Sequence, residues 1–321
     1  MKVNVAVIGR KGHAKKIIKI LNNIKQIKKI GIFHPKIQKK EDNKFRFFNE
    51  FDEINNFDLV ILSSPNYTHN FYLKKLINFK GNILCEKPAG SKNDKINCLK
   101  SYLRKKKINL EINYNLLNSE LFKIIKKIIN QKKFGKVIFF QIIKNTGLAF
   151  NKKKYLKNWR SNKKLSSGIL ELQTVHYINF FLNLFNNLKI HSFKNSKFSK
   201  YKNVNTDSTI VNLVSGDKYI SIVNSYASTF NVSFNILLTN SKINYDGRYL
   251  KIFYPRDTFD INKRYTEPKI FYKKKIIFEK MWENSLITSL ELFIKKNQKK
   301  LDKYRLKKSL ETFNIFKKVN K

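Results

Sequence analysis

A short apolar run that stops abruptly at charged residues most constrains the fold of this chain. Residues 83–85 are Ile-Leu-Cys, and Glu86, Lys87 and Pro88 follow directly. An apolar run bounded by turn signals is typical of a strand buried on both faces, as in a parallel sheet covered by helices. Ligands of open parallel sheets gather at the carboxyl ends of the strands, so Glu86 and Lys87 are candidate site residues. The plainer alternative is a strand end with a surface ion pair.

The amino terminus shows a strand, a glycine turn and a helix in that order. Residues 3–8 are apolar and rich in β-branched side chains, and residues 15–24 carry isoleucine and leucine at helical spacing. This context favours a dinucleotide site, because a helix amino terminus presents free N–H groups to a pyrophosphate. The turn supplies five candidate cofactor-binding residues: Gly9, Lys11, Gly12, His13 and Ala14. A tight turn with no ligand is the alternative.

The glycine turn departs from the G-x-G-x-x-G/A fingerprint at one position. Gly9 and Ala14 occupy its first and third places, but Lys11 stands where the second glycine allows close approach of the backbone. Gly12 supplies flexibility one residue later.

The second predicted strand, residues 30–33, ends without a carboxylate. A fold that prefers NAD usually places Asp or Glu there to bind the adenosine ribose. Here His34 follows, with Lys36, Lys39 and Lys40 nearby, which favours a 2′-phosphate. The expected cofactor is therefore NAD or NADP, with a lean to NADP.

The charge of the chain raises a nucleic-acid hypothesis. The formal net charge is +45 over 321 residues, with 59 lysines and 8 arginines. Basic domains concentrate phosphate backbones without reading sequence. However, the lysines are scattered over the whole chain, and the other abundant residues share A- and T-rich codons. We therefore expect dispersed charge and no specific nucleic-acid partner.

Composition excludes several other classes of protein. A hydrophobic share of 42% excludes global disorder, and no run of about eighteen apolar residues could span a membrane. The apolar stretch at the amino terminus is too short for a signal peptide, so we expect a cytoplasmic protein. Cys85 and Cys98 form neither a disulfide framework nor a metal-ligand spacing, which predicts two buried thiols and no metal site.

A second turn, after the predicted third strand, adds to the glycine turn and the Glu-Lys-Pro segment. The predicted strand at residues 58–62 leads into Ser64, Pro65 and Asn66, with His69 three residues later. Together with the glycine turn and the Glu-Lys-Pro about twenty residues on, this resembles the Gfo/Idh/MocA family, typified by glucose–fructose oxidoreductase and inositol dehydrogenase. The resemblance covers almost the whole chain.

The family resemblance implies a fold and a division of the chain. The fold class would be α/β, with an N-terminal Rossmann domain, a doubly wound parallel sheet, over residues 1–118. Residues 119–321 would form a C-terminal α+β domain for substrate binding and oligomerisation, with a large open, mostly antiparallel sheet. Open sheets of this kind often pair face to face, so we expect a homo-oligomer.

The resemblance also implies roles for single residues. It places Ser64, Pro65, Asn66, His69 and Glu86 against the cofactor. It makes Lys87 and His176 catalytic, converging on one substrate carbon. The substrate side would be formed by Trp159, Arg160 and Glu171.

Two of these assignments have plainer alternatives. His176 shares an apolar helix face with Val175 and Ile178, as a core histidine would, although its ordinary pKa near 6.5 suits proton transfer. Trp159 and Arg160 could clamp a substrate or anchor a loop.

The chain differs from the family pattern at several positions. Leu172 stands where an aspartate usually precedes the histidine by one helical turn, and Glu171 is turned about 100° away. Asn179 and Asn115 replace another aspartate and an arginine.

The leading hypothesis is an NAD(P)-dependent oxidoreductase acting on a sugar, polyol or nucleotide-sugar carbon, with surface-carbohydrate metabolism as one setting. A catalytically impaired member acting as a binding or regulatory protein is the alternative. A nucleic-acid-binding protein is favoured by charge alone.

Overall fold

The structure, a computed structural model, describes residues 2–91, 94–95, 97–157, 159, 161–202, 204–254, 259–297 and 299–319. By internal contacts the chain divides into two compact units. The first contains Met1–Asn115 and Leu286–Asn314, and the second contains Leu116–Ser285 and Ile315–Lys321. The predicted domain ranges, 1–118 and 119–321, stay a prediction.

The first unit is built on a seven-stranded sheet. Its strands are β1 (Val3–Ile8), β2 (Ile27–Phe33), β3 (Lys40–Glu41), β4 (Phe45–Phe48), β5 (Leu59–Leu62), β6 (Asn82–Glu86) and β7 (Leu110–Asn113). Their order is β3-β4-β2-β1-β5-β6-β7, and every neighbouring pair is parallel except the short β3–β4 pair. The predicted doubly wound parallel sheet is confirmed.

Helices cover this sheet because each has one apolar face. They are α1 (His13–Asn22), α2 (His69–Lys75) and α3 (Asn97–Arg104). In α1, Ala14, Ile17 and Leu21 are buried while the lysines between them face outward. All four residues of β5 and all five of β6 are buried, as the apolar runs at residues 59–62 and 83–85 predict.

The second unit contains an eight-stranded sheet. Its strands are β8 (Val137–Asn145), β9 (Lys189–Ser196), β10 (Ser208–Ser215), β11 (Lys218–Ser225), β12 (Asn231–Leu238), β13 (Ser241–Tyr245), β14 (Tyr249–Phe253) and β15 (Ile270–Lys275). Their order is β15-β14-β13-β12-β8-β11-β10-β9, antiparallel throughout except for the parallel β8–β11 pair. The predicted large, mostly antiparallel sheet is also confirmed.

One face of this sheet is packed with aromatic residues. The remaining helices are α4 (Glu120–Ile129), α5 (Lys152–Leu156), α6 (Val175–Leu182), α7 (Phe278–Ile294) and α8 (Lys303–Val319). Phe140 of β8 meets Phe181 of α6 edge to face, with ring centroids 4.8 Å apart. Residues of the opposite face, such as Tyr219 and Leu237, are more than two-fifths exposed. Among the described residues, no helix is both long and apolar enough to cross a membrane.

Candidate functional site

The carboxyl ends of four parallel strands meet at one edge of the first sheet. Ile8 at the end of β1 pairs with Phe33 of β2 and with Leu62 of β5, and Leu62 pairs with Cys85 of β6. The segments that follow these strands therefore share one edge. These segments hold the glycine turn, His34, the turn starting at Ser63, and Glu86 with Lys87.

The glycine turn is tightly packed at Gly9 and open at Gly12. Gly9 has φ +127°, and a Cβ there would lie 2.8 Å from the Ser63 carbonyl oxygen and 3.2 Å from the Ala14 Cβ. No L side chain fits that space without a shift, so Gly9 and the small Ala14 are required for the close approach of strand and helix. Gly12 also has positive φ, +57°, but open space surrounds it, and Lys11 beside it is exposed.

Glu86 is a buried carboxylate held by a chain of polar contacts. Its Oε1 accepts a hydrogen bond from Asn113 Nδ2 at 2.7 Å and lies 3.2 Å from His13 Nε2. Asn113 Oδ1 in turn accepts the Ser289 hydroxyl at 2.6 Å. Burial raises the pKa of Glu86. The contact with His13, the Asn113 hydrogen bond and the Lys87 charge lower it by more, so the pKa of Glu86 lies below its ordinary value. Glu86 is therefore ionised and fixed in orientation.

His69 lies inside the protein and joins two of the turns. Its Nδ1 is 2.7 Å from the Pro88 carbonyl oxygen, and its Nε2 is 2.8 Å from that of Ser64. The side chain is fully buried, and burial lowers the pKa of His69 more than the two carbonyl groups raise it. The structure thus shows His69 as a tether between the turns after β5 and β6. Within the first of these turns Pro65 precedes the buried Asn66.

Lys87 follows Glu86 and is half-buried. The peptide bond that joins it to Pro88 is cis. Lys87 thus begins the turn to which His69 is hydrogen-bonded.

His34, after β2, is surrounded by cations. Its Nδ1 accepts the backbone N–H of Lys36 at 3.1 Å. Partial burial lowers the pKa of His34, and the charges of Arg10, Lys11 and Lys36 lower it further. The Arg10 Nε is buried, and no group of the described residues accepts its hydrogen. The cations around His34 and the buried Arg10 donor make this part of the sheet edge suited to an anion.

In the second unit, the segment before the predicted catalytic helix is a π-turn. Leu170–Thr174 adopt π-helical geometry and run directly into α6. Such turns insert an extra residue into a helix and are frequent at functional sites. Glu171 is fully buried, and its Oε2 accepts the Ser167 backbone N–H at 2.8 Å.

Leu172 packs into an apolar cluster. The cluster comprises Ala149, Tyr155, Ile169, Leu172, Val204 and Tyr226. Trp159 also packs against it. The position at which an aspartate was expected therefore belongs to the core of the unit. Arg160 lies outside the described residues.

His176 is buried on α6 and rests against an aromatic pair of α7. Its ring meets the Trp282 ring edge to face, with ring centroids 4.8 Å apart. The ring centroids of Trp282 and Phe278 lie 5.6 Å apart. Two residues earlier, the Thr174 hydroxyl donates to Asn224 Oδ1 at 2.7 Å, which ties the start of α6 to β11.

Two sequence profiles match the chain. The oxidoreductase family profile for the NAD-binding Rossmann fold matches residues 3–114, and the family's profile for the C-terminal alpha/beta domain matches residues 126–305. The chain belongs to the Gfo/Idh/MocA oxidoreductase family. The resemblance that the motifs indicated is thereby confirmed, and the first unit contains the family's NAD-binding fold.

A curated relative of this Gfo/Idh/MocA member is the glucose-6-phosphate 3-dehydrogenase of Bacillus subtilis. The two are 24% identical over 188 residues, which cover 56% of this chain and 53% of the relative. The chain thus aligns with about half the length of that protein.

Solved structures of low identity share the whole fold. A levoglucosan dehydrogenase in complex with NADH superposes with a TM-score of 0.78 at 14% identity, covering 98% of this chain and 95% of that one. A myo-inositol dehydrogenase from Corynebacterium glutamicum gives a TM-score of 0.70 at 15% identity, with 99% and 96% coverage.

Several polar residues of these sites were not found from the sequence. Asn113 ends β7, so the strand-end argument that selected Glu86 also applies to it. Ser289 lies 176 residues from Asn113, and no local pattern connects the two. Asn224 lies within an ordinary strand pattern, which carries no signal of its hydrogen bond to Thr174.

Proposed function

We propose that this chain is an NAD(P)-dependent oxidoreductase that moves a hydride to or from a hydroxyl-bearing carbon of a sugar or polyol. The observation that carries the proposal is the sheet edge where the Gly9 turn, His34 and the Glu86–Lys87 pair come together in a NAD-binding fold. Ligands of such sheets bind at this edge. The names of the relatives, which are dehydrogenases of glucose 6-phosphate, levoglucosan and myo-inositol, support a sugar-like substrate.

The residues present fit a dinucleotide. Gly9 and Ala14 bring the α1 amino terminus close to β1, which leaves backbone N–H groups for a pyrophosphate. The buried Arg10 Nε offers a further donor for which the described residues supply no acceptor. Arg10, Lys11 and Lys36 around His34 favour NADP, because a 2′-phosphate would offset their mutual repulsion. Pro65 and Asn66 would lie along the nicotinamide half.

When bound, the nicotinamide accepts or returns the hydride. In the oxidation direction, His176 takes the proton of the substrate hydroxyl as the carbonyl forms. Lys87 holds the oxygen through its ammonium group while negative charge develops. In reduction the same proton returns from His176. Glu86, kept ionised by His13 and Asn113, holds the backbone from which Lys87 extends.

The proposal can be made more specific in two respects, the substrate and the oligomeric state. For the substrate, the most specific proposal is a nucleotide sugar used in surface-carbohydrate metabolism. The exposed face of the second sheet, with Tyr219 and Leu237, suits a homo-oligomer paired face to face.

A binding or regulatory protein without catalysis is the second candidate. The burial of Leu172 in an apolar cluster favours it, because no carboxylate then stands one helical turn before His176. A ligand that binds without turnover would distinguish the two candidates.

Calorimetric titration with NAD⁺ and NADP⁺ at near-physiological salt tests the cofactor proposal. We expect NADP⁺ to bind about tenfold more tightly, equivalent to about 1.4 kcal/mol. Arg10→Gln should remove that difference, and Arg104→Gln, an exposed arginine of α3, should retain it. Failure of both nucleotides to bind the parent would favour the binding-protein candidate.

A further inference from the structure

One lysine of the described residues is buried without an ion pair. Among the described residues, the buried lysines are Lys144 and Lys308. Lys308 has a partner, since its Nζ lies 2.9 Å from Glu311 Oε2. Lys144 is 8% exposed and forms no ion pair with a carboxylate of the described chain. Ammonium groups are almost never buried unless they are paired, so the burial of Lys144 suggests that it binds a ligand.

The Lys144 ammonium lies between two aromatic rings. Its Nζ is 4.3 Å from the centroid of Phe230 and 4.5 Å from that of Phe278. Phe278 is buried at 4% exposure, whereas Phe230, in the segment between β11 and β12, is 60% exposed. The rings attract the cation through their negative faces. The ammonium thus contacts one buried ring and one ring that is largely exposed.

Lys144 projects from the helix-covered face of the second sheet. On β8, Phe140 and Ile142 are buried on the same face at alternate positions. The register partner of Lys144 on β11 is Asn224, which donates its amide to the Lys144 carbonyl oxygen at 3.2 Å. Asn224 also accepts the Thr174 hydroxyl, so the end of β8 is tied to the turn before His176.

The same aromatic pair contacts both Lys144 and His176. Phe278 and Trp282 are four residues apart and lie on one face of α7. The Lys144 Nζ lies against Phe278, and the His176 ring lies against Trp282. The ammonium and the imidazole therefore border one aromatic wall, about one helical turn apart along it.

Burial leaves the ammonium short of compensating charge. Desolvation lowers the pKa of Lys144 to about 8, although Glu279 in the first turn of α7 raises it. An anion placed against Nζ would supply the missing compensation and raise the pKa again.

We propose that Lys144 binds an anionic group, a carboxylate or a phosphate, carried by the sugar or polyol whose hydroxyl is presented to His176. This assignment rests on the proposed function and narrows its substrate class to anionic sugars and polyols. Phe230 covers the anion subsite and must turn aside as the ligand enters.

Calorimetry with three six-carbon polyols tests the assignment, using the full chain saturated with reduced cofactor so that no alcohol is oxidised. The probes are sorbitol, gluconate and sorbitol 6-phosphate. We expect at least one anionic probe to bind the parent ten times or more tightly than sorbitol, and the better of the two identifies the group. Lys144→Met should abolish this advantage and leave sorbitol affinity within about twofold. Equal binding of all three probes by the parent, or a preference that persists in Lys144→Met, overturns the assignment.

Lys242→Met is the matched control. The Lys242 Nζ also lies over an aromatic ring, 4.4 Å from the Phe253 centroid, but on the partly exposed side of the sheet with Glu267 as its partner. This variant removes the same charge and should keep the anionic preference. Lost stability in Lys144→Met with an unchanged ratio of affinities would show a purely structural lysine and also overturn the assignment.

A measurement on the parent alone keeps the assignment testable if Lys144→Met fails to fold. At pH 9 the amine is mostly neutral, so binding an anion should take up as much as about one proton. Titrations in two buffers of different ionisation enthalpy measure that uptake, and none would contradict the assignment. If reduced cofactor does not bind, the proposed oxidoreductase fails, but the same titrations without cofactor still decide the role of Lys144.

Discussion

The polar candidate site residues of the two units have different surroundings. In the first unit a chain of hydrogen bonds holds Glu86 between His13 and Asn113, with Ser289 behind Asn113. In the second unit the helix that carries His176 begins with a π-turn, and Leu172 is packed into an apolar cluster. The candidate cofactor-side residues of the first unit are thus oriented by polar contacts, whereas the segment around His176 in the second unit packs against apolar and aromatic side chains.

The largest expected effect comes from removing one proposed catalytic group in each unit. His176→Asn and Lys87→Ala should each lower turnover of the best substrate in a sugar and polyol panel by about a hundred- to ten-thousand-fold, because each removes a positioned group from the transition state. Cofactor affinity, measured by calorimetry, should change little. His191→Asn, an exposed histidine of β9, is the matched control. Near-parental rates in both variants would disprove the assignment of these two residues.

A substitution at Leu172 tests how far apolar packing sets the second unit apart from the first. Leu172→Asp restores the residue common in the family but places a carboxylate among Tyr155, Ile169 and Tyr226. We expect the free energy of unfolding to fall by about 3 kcal/mol, since an unpaired buried charge is among the most destabilising changes known. Chemical denaturation measures the loss.

Leu172→Met is the control for that variant, with an expected cost below about 1.5 kcal/mol. If Leu172→Asp instead keeps parental stability and gains activity, the second unit retains the family arrangement and the contrast between the units is wrong.

The smallest effect concerns the tether at His69. Its folded pKa is lowered, so the stability it contributes is complete above the unfolded value of about 6.5 and is lost as the pH falls toward the folded value. One such group changes the free energy of unfolding by at most about 1.4 kcal/mol per pH unit. Between pH 7.5 and 5.5, we expect the stability difference between the parent and His69→Gln to narrow.

His191→Gln is the control for that comparison, because it replaces an exposed histidine of β9 with the same residue. A gap that widens on acidification would mean that the two carbonyl groups of Ser64 and Pro88 keep His69 charged in the folded protein.

Helix ends were the least predictable elements, and one of them matters for the site. The sequence pattern predicts helix α7 over residues 283–296, whereas in the structure α7 begins at Phe278. The sequence before it has no Ser, Thr, Asp or Asn that would mark the start. The missed turn contains Phe278 and Trp282, which border both Lys144 and His176.

Burial patterns explain why some strands escaped prediction. All six residues of β15 and all eight residues of β9 are at least partly exposed, so neither strand shows the buried alternation that would mark it. Those strands exist because their backbones pair with β14 and β10. Pairing between distant segments leaves no periodic signal in the chain itself.

The sequence by itself determined the parallel sheet and the candidate residues at its strand ends. A run that is apolar at every position can be buried only between two layers, and a glycine or a Glu-Lys-Pro directly after it must lie at the sheet edge. Only the tertiary structure decided which of the 59 lysines are buried, that Leu172 belongs to the core, and that Ser289 supports Asn113. These facts depend on contacts between residues far apart in the chain, because burial and hydrogen-bond partners are properties of the packed molecule.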